Sequence, residues 1–178
     1  MNIRAEIYWI AGIGPHRIAT MPRPRSGNRL EDEIRSLKRE GVDALVSLLT
    51  TEEVFYMELA PESESCRACA IEYISFPIPD RQTPESKTAT LDLVQRLAAL
   101  VTEGKGVAIH CFAGIGRSTL IAACVLASLG IEPGEAFQLI KKSRGCDVPD
   151  TLEQREWVYW FVSTMLKRKS HLAEGNEG

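Results

Sequence analysis

The order of apolar runs along this 178-residue chain predicts an α/β domain, with a central, predominantly parallel sheet flanked by helices. Three observations carry that expectation. Short apolar or β-branched runs alternate with segments of helical period, the arrangement that parallel strands joined by helical crossovers require. The run Val107-Ala108-Ile109 leads through a glycine-bearing turn into the apolar stretch Ser118–Leu129, a strand-to-helix transition that belongs at the carboxy-terminal edge of such a sheet. A chain of this length, 44% hydrophobic and without internal repeats, encloses one substantial core.

Taken in order, Glu6–Ile10 and Arg17–Thr20 supply short early strands, followed by a turn-rich connection from Pro22 to Asn28. Leu30, Ile34 and Leu37 recur at helical spacing, and Val42–Leu49 is a strongly apolar strand. Thr50–Ala60 reads two ways: its threonines and glutamates favour a helix start, whereas Val54-Phe55-Tyr56 could extend a strand. The polar Pro61–Ser65 stretch reads as a loop and Cys69–Ile78 as a second extended segment. Pro84–Val101 is helical, with Leu91, Val94, Leu97 and Ala98 facing the sheet and Asp92, Gln95 and Arg96 facing water. After Val107–Cys111 come the helices Ser118–Leu129, Ile131–Lys142 and Leu152–Lys167, giving four or five central strands. The aromatic cluster Trp157, Tyr159, Trp160, Phe161 packs the last helix. Residues 1–168 form the domain, and 169–178 have the composition of an exposed, flexible tail.

The chemistry is concentrated in His110-Cys111-Phe112-Ala113-Gly114-Ile115-Gly116-Arg117-Ser118. Gly114 and Gly116 permit close backbone approach, so the amides from Phe112 to Arg117 can converge on phosphate oxygens while the planar Arg117 guanidinium grips two of them. Cys111 sits at the positive end of the incoming helix, where amides and Arg117 stabilise the reactive thiolate. Attack by Cys111 on a bound phosphate would give a phosphocysteine and divide one difficult hydrolysis into two transfers. Neither a metal nor a cofactor is needed, since Arg117 and the backbone donors neutralise the anion. Ser118 can donate to the sulfur as it leaves, and His110 organises the turn and its electrostatics. Asp80 ends the extended Phe76-Pro77-Ile78-Pro79 segment, where a carboxylate reaches both solvent and substrate and can serve first as acid, then as base. Asp92 is its nearest rival in sequence.

These residues closely resemble the signature of cysteine-dependent protein phosphatases, particularly the compact dual-specificity members. The likeness extends through Trp9, Arg17-Ile18-Ala19, Met21-Pro22, Gly41–Leu49, Pro77-Ile78-Pro79-Asp80 and Thr151-Leu152-Glu153-Gln154. It implies a cysteine-phosphatase-like fold and strand order, Cys111 as nucleophile, Arg117 as phosphate clamp, Asp80 as general acid and Ser118 as thiolate-stabilising hydroxyl. It also implies that Gln154 positions the hydrolytic water. The substrate class so implied is phosphotyrosine, with phosphoserine and phosphothreonine as further substrates. A phosphoinositide or small-molecule phosphomonoesterase, and a phosphopeptide-binding module with weak turnover, remain alternatives; the turn Phe112–Gly116 lacks a lysine that a multiply charged lipid headgroup would favour.

Charge and cysteine usage set the remaining bounds. With 21 basic and 24 acidic side chains the formal charge is −3, which predicts a soluble protein with no broad nucleic-acid surface. No stretch approaches the roughly 20 apolar residues of a membrane span, and Met1–Gly12 has no secretory pattern, so a cytoplasmic location is expected. The oligomeric state is left open. Of the five cysteines, Cys124 lies in an apolar run and reads as a core thiol, Cys66 and Cys69 could form a local redox pair, and the pairing of Cys146 is open. Arg81 or Lys141-Lys142-Ser143-Arg144 could supply cationic charge to a substrate from elsewhere, although the basic run reads first as a solvated face.

Overall fold

The computed structural model describes residues 4–166. The expected flexible tail over 169–178, and both ends of the expected 1–168 domain, lie outside the described residues. The elements in chain order are β1 (Tyr8–Trp9), β2 (Arg17–Pro22), α1 (Leu30–Arg39), β3 (Ala44–Ser47), α2 (Thr51–Tyr56), α3 (Glu62–Ala68), β4 (Glu72–Ser75), α4 (Lys87–Thr102), β5 (Gly106–Cys111), α5 (Arg117–Ser128), α6 (Pro133–Arg144) and α7 (Leu152–Phe161). A π-helical stretch, Val162–Leu166, continues α7, while Lys167 at the end of the expected helix is outside the described residues.

Five strands form one sheet in the order β1-β2-β5-β3-β4, with β1 antiparallel to β2 and every other pair parallel. Because successive side chains on a strand point to opposite faces, the sheet divides two cores. Ile18, Val46, Val107, Ile109 and Cys111 face α4, α5, α6 and α7, whereas Ala19, Met21, Leu45 and Ala108 face α1 and α3. All six residues of β5 are buried, as a central strand covered on both faces requires.

Three of the seven α-helices described, α2, α4 and α7, start at side-chain caps. Ser86 caps α4 by accepting from Ala89 N, so the helix begins at Lys87 and Pro84 stays outside it. Within Thr50–Ala60, ambiguous in sequence, Thr51–Tyr56 is helical because Thr50 and Glu53 close a reciprocal capping box: Thr50 Oγ1 accepts from Glu53 N at 3.3 Å and Glu53 Oε2 from Thr50 N at 2.9 Å. Two expectations are corrected. Pro61–Ser65 is the start of helix α3 rather than a loop, since Pro61 tolerates the position ahead of a first turn that carries Glu62 and Glu64. The extended segment is correspondingly shorter. Cys69 caps α3, Ala70 turns the chain at φ 53°, and the strand runs only over Glu72–Ser75. In the aromatic cluster Phe161 is buried and Trp157 stacks on it at 4.9 Å, but Tyr159 and Trp160 are exposed.

Candidate active site

β5 delivers Cys111 to the carboxy-terminal edge of the sheet, and α5 begins six residues later at Arg117. The intervening turn is held from outside. Phe112 O accepts from Arg23 N at 3.1 Å. Ala113 O and Gly114 O accept from the Arg144 guanidinium at 3.0 and 3.3 Å. In a planar trans peptide the carbonyl and the following N–H point in opposite directions, so pinning these three carbonyls outward turns the amides of Ala113, Gly114 and Ile115 toward the concave side. Gly114 has φ 70°, and a Cβ there would come within 2.4 Å of the Met21 backbone. At Gly116 a Cβ would lie 2.5 Å from Asp150 Oδ2 and 2.9 Å from Gln154 Oε1, so the start of α7 closes over the turn only because no side chain intervenes.

Within this frame Cys111 is 3% exposed, and its Sγ lies 3.5 Å from Ser118 Oγ in the first turn of α5. Thiol and hydroxyl thus meet where the helix dipole favours negative charge. Arg117 is 1% exposed and donates through both terminal nitrogens to Glu53, at 2.7 and 2.9 Å. Its Nη1 also donates to Ile78 O at 2.8 Å, and its Nη2 stands 3.2 Å from Asp80 Oδ1. Burial works to lower the Arg117 pKa, but hydrogen bonding to Glu53 and the neighbouring Cys111 and Asp80 outweigh it and hold the guanidinium charged. Conversely, burial pushes the Glu53 carboxyl up, and donation from Arg117 and the Thr50 amide brings it below the ordinary glutamate range.

Asp80 projects from a loop anchored at both ends. Ile78 is buried, donates its amide to Leu48 O at 3.0 Å and offers its carbonyl to Arg117, while Gln82 N donates to Pro79 O at 3.0 Å. The Asp80 side chain itself is 62% exposed, over Arg117. Asp92, the rival in sequence, lies on the exposed face of α4. Gln154 is fully buried at the start of α7 and forms a second capping box with Thr151. Its Nε2 donates to Gln82 O at 3.1 Å, tying α7 to the loop that carries Asp80. Cys111 meets Ser118, Arg117 meets Asp80 and Gln154 packs against Gly116, so residues scattered over 75 positions of sequence gather around one turn, in which Phe112 is 47% exposed.

His110 points the other way. One residue before Cys111, it projects through the opposite face of β5 toward α3, where Nε2 lies 2.8 Å from Glu62 Oε1 with both side chains fully buried. The contact is close enough for an ion pair but is not aligned as a hydrogen bond. Its Nδ1 faces Cys111 O at 3.3 Å. Tyr73 OH donates to the second Glu62 oxygen at 3.4 Å.

Three residues here escape a reading of sequence alone. Glu53 carries a signal, the Thr50-x-x-Glu53 spacing, but only as a helix cap. Glu62 sits in what reads as a polar loop. Arg144 belongs to a run that reads as a solvated basic face; Lys141 fits that reading by pairing with exposed Asp147, but Arg144 turns inward to the signature turn.

Comparison with known proteins identifies the family. The family model described as "Polymorphic toxin system, DSP-PTPase phosphatase" matches residues 19–131. The chain is 26% identical over 134 residues to cyclin-dependent kinase inhibitor 3 of Rattus norvegicus, covering 74% of this chain and 63% of that protein. It is 31% identical over 163 residues to putative tyrosine phosphatase 067L of Invertebrate iridescent virus 3, covering 80% and 63% respectively. The chain thus spans less than two thirds of the length of these curated relatives. Among solved structures, Tk-PTP in its active form superposes with a TM-score of 0.72 at 28% identity, covering 90% of this chain and 98% of that one. Kinase associated phosphatase with its catalytic-site cysteine replaced by serine superposes with a TM-score of 0.82 at 20% identity, covering 93% and 98%, a likeness of fold.

Proposed function

This chain belongs to the family of cysteine-dependent dual-specificity and tyrosine phosphatases, and from that premise we propose that it is a protein phosphatase hydrolysing phosphotyrosine, with phosphoserine and phosphothreonine as slower substrates. The observation that carries the reading is the placement of a recessed thiol at the foot of a turn whose carbonyls are pinned outward, beside a buried arginine and an exposed carboxylic acid. In the first step the Cys111 thiolate attacks phosphorus, the bond to the leaving oxygen breaks, and Asp80 gives that oxygen its proton. Amides of the turn and Arg117 hold the equatorial oxygens. With both terminal nitrogens committed to Glu53, the Nε–Nη2 edge of Arg117 is the fork offered to phosphate, which would replace the 3.2 Å contact with Asp80.

In the second step water attacks the phosphocysteine, Asp80 takes its proton, and sulfur departs as thiolate toward Ser118. Gln154, packed against Gly116, is suited to orient that water. No cofactor takes part in this scheme. The depth of Cys111 supports the substrate order, because the longer phosphotyrosine arm reaches a recessed sulfur and presents the better leaving group. A thiolate nucleophile suits a reducing compartment, which supports a cytoplasmic location. No helix among the described residues is long and apolar enough to cross a membrane.

Initial rates of phosphate release from sequence-matched phosphotyrosine, phosphoserine and phosphothreonine peptides, alongside phosphoinositide vesicles, test the proposal. Phosphotyrosine should lead, with measurable activity on the other two peptides. Exclusive hydrolysis of phosphoserine and phosphothreonine overturns the order, and a strong preference for the lipid overturns the substrate class.

A further inference from the structure

We propose that Arg144 is a positioning residue for the signature turn, acting from the side away from substrate to orient and strengthen the amides that receive the phosphate. The inference rests on the reading of the turn as an oxyanion cradle. Arg144 is the last residue of α6, and its guanidinium is shared between two partners. Nη2 donates to Ala113 O at 3.0 Å and Nε to Gly114 O at 3.3 Å. Its Cζ lies 4.2 Å from the centroid of the Tyr8 ring on β1, a cation–π contact that fixes the plane of the fork. The end of α6 is itself docked, since Ser143 Oγ accepts from Ala11 N at 3.3 Å.

The geometry gives this contact a consequence that a surface arginine lacks. Each carbonyl that Arg144 holds shares a peptide unit with the next amide, so the guanidinium fixes the direction of the Gly114 and Ile115 N–H groups. A charged donor at the oxygen also draws electron density away from the nitrogen and makes the N–H a stronger donor, the cooperative polarisation expected of linked hydrogen bonds. Arg144 and the phosphate then sit at opposite ends of the same two peptide dipoles without touching each other. Neighbouring charges do not duplicate the effect: Lys141 is paired with Asp147, and Lys142 is exposed.

Arg144→Met keeps an unbranched apolar stem beside Tyr8 and removes the fork, and Arg144→Lys restores charge without the bidentate geometry. The test titrates inorganic phosphate into each full-length protein while following the Gly114 and Ile115 amide resonances, and measures kcat and KM with an aryl phosphate. Arg144→Met should weaken phosphate binding and lower kcat/KM by about tenfold. Its two amide resonances should move in the direction of weaker hydrogen bonding, and Arg144→Lys should recover part of each change. A brace that merely held the fold would lower the melting temperature and the active fraction, leaving the phosphate affinity of the folded fraction and its amide shifts intact. Wild-type affinity and unshifted amides in folded Arg144→Met overturn the proposal while leaving the phosphatase reading standing. Failure of the wild type to bind phosphate overturns both. If Arg144→Met does not fold, Tyr8→Leu, which loosens the same fork, decides by the same titration: a loss of phosphate affinity supports the proposal and wild-type affinity overturns it.

Discussion

Replacing Glu53 with glutamine removes the main counter-charge of a guanidinium that water barely reaches. The substituted amide would still offer one carbonyl oxygen to the Thr50 N–H, and a capping box accepts glutamine at this position, so the cost falls on Arg117 rather than on α2. Breaking a buried ion pair by removing one partner costs about 3–5 kcal/mol. Here the figure is smaller, because the Glu53 side chain is 18% exposed and Arg117 keeps Ile78 O and its contact with Asp80. About 2 kcal/mol is the expected loss. For a chain of this size, that lowers the melting temperature by roughly 4–8 °C. Activity should fall more steeply than stability, since a fork released from Glu53 no longer presents a fixed edge to phosphate. A pH series adds a second constraint. The folded-state pKa of Glu53 is depressed, so its contribution is complete above the ordinary glutamate range and disappears as pH falls through the folded value. Melting curves of wild type and Glu53→Gln should therefore stand apart at about pH 7 and converge as the pH is lowered below about 5. A gap that is absent near neutral pH, or that stays constant down to about pH 3.5, would refute the argument that Glu53 acts as a charged partner of Arg117.

Cys111→Ser should lower turnover by at least about 10³-fold while the folded protein still binds inorganic phosphate, because the amides and Arg117 remain. Near-normal steady-state release of phosphate by the folded variant would rule Cys111 out as nucleophile. Asp80→Asn should slow hydrolysis of phosphotyrosine peptides by about 10²–10³-fold but affect activated aryl phosphates much less, since good leaving groups depart without a proton. A uniform small loss across leaving groups would place the acid elsewhere. Gln154→Ala should spare the first transfer and slow the second, giving a burst of released phenol equal to the enzyme present, followed by a depressed steady rate. Rapid-mixing traces with no burst would remove Gln154 from the hydrolytic step.

The parts of the site visible in sequence are those that one stretch of chain builds unaided. Val107–Ser118 encodes a strand, a turn and a helix start in consecutive residues, so Cys111, Ser118 and Arg117 are placed by local rules. Asp80 is visible because Pro77 and Pro79 mark the turn that presents it. Helix α3 is hidden for a physical reason: its buried face is Glu62, Ser65 and Cys66, so no apolar period announces it. Glu62 gains its meaning only when α3 packs beneath His110, and Arg144 only when the end of α6 reaches the signature turn. Neither contact is written in spacing along the chain. Glu53 lies between these cases, since its capping role is local but its grip on Arg117 spans 64 positions.

The division of β5 into two faces also sorts the thiols of this protein. Cys111 and Cys124 belong to the core under α4–α7, whereas Cys66 is buried and Cys69 packs in the core on the other side of the sheet. Burial and the nearby Glu62 push the Cys66 thiol up to about 12, which suppresses its thiolate. A disulfide needs its two α-carbons within about 7 Å, so the Cys66 and Cys69 sulfurs cannot trap an oxidised Cys111 unless the sheet opens. The sheet thereby separates Cys111 from Cys66 and Cys69, so a sulfenic acid formed at Cys111 has no direct path to the thiols on the other face.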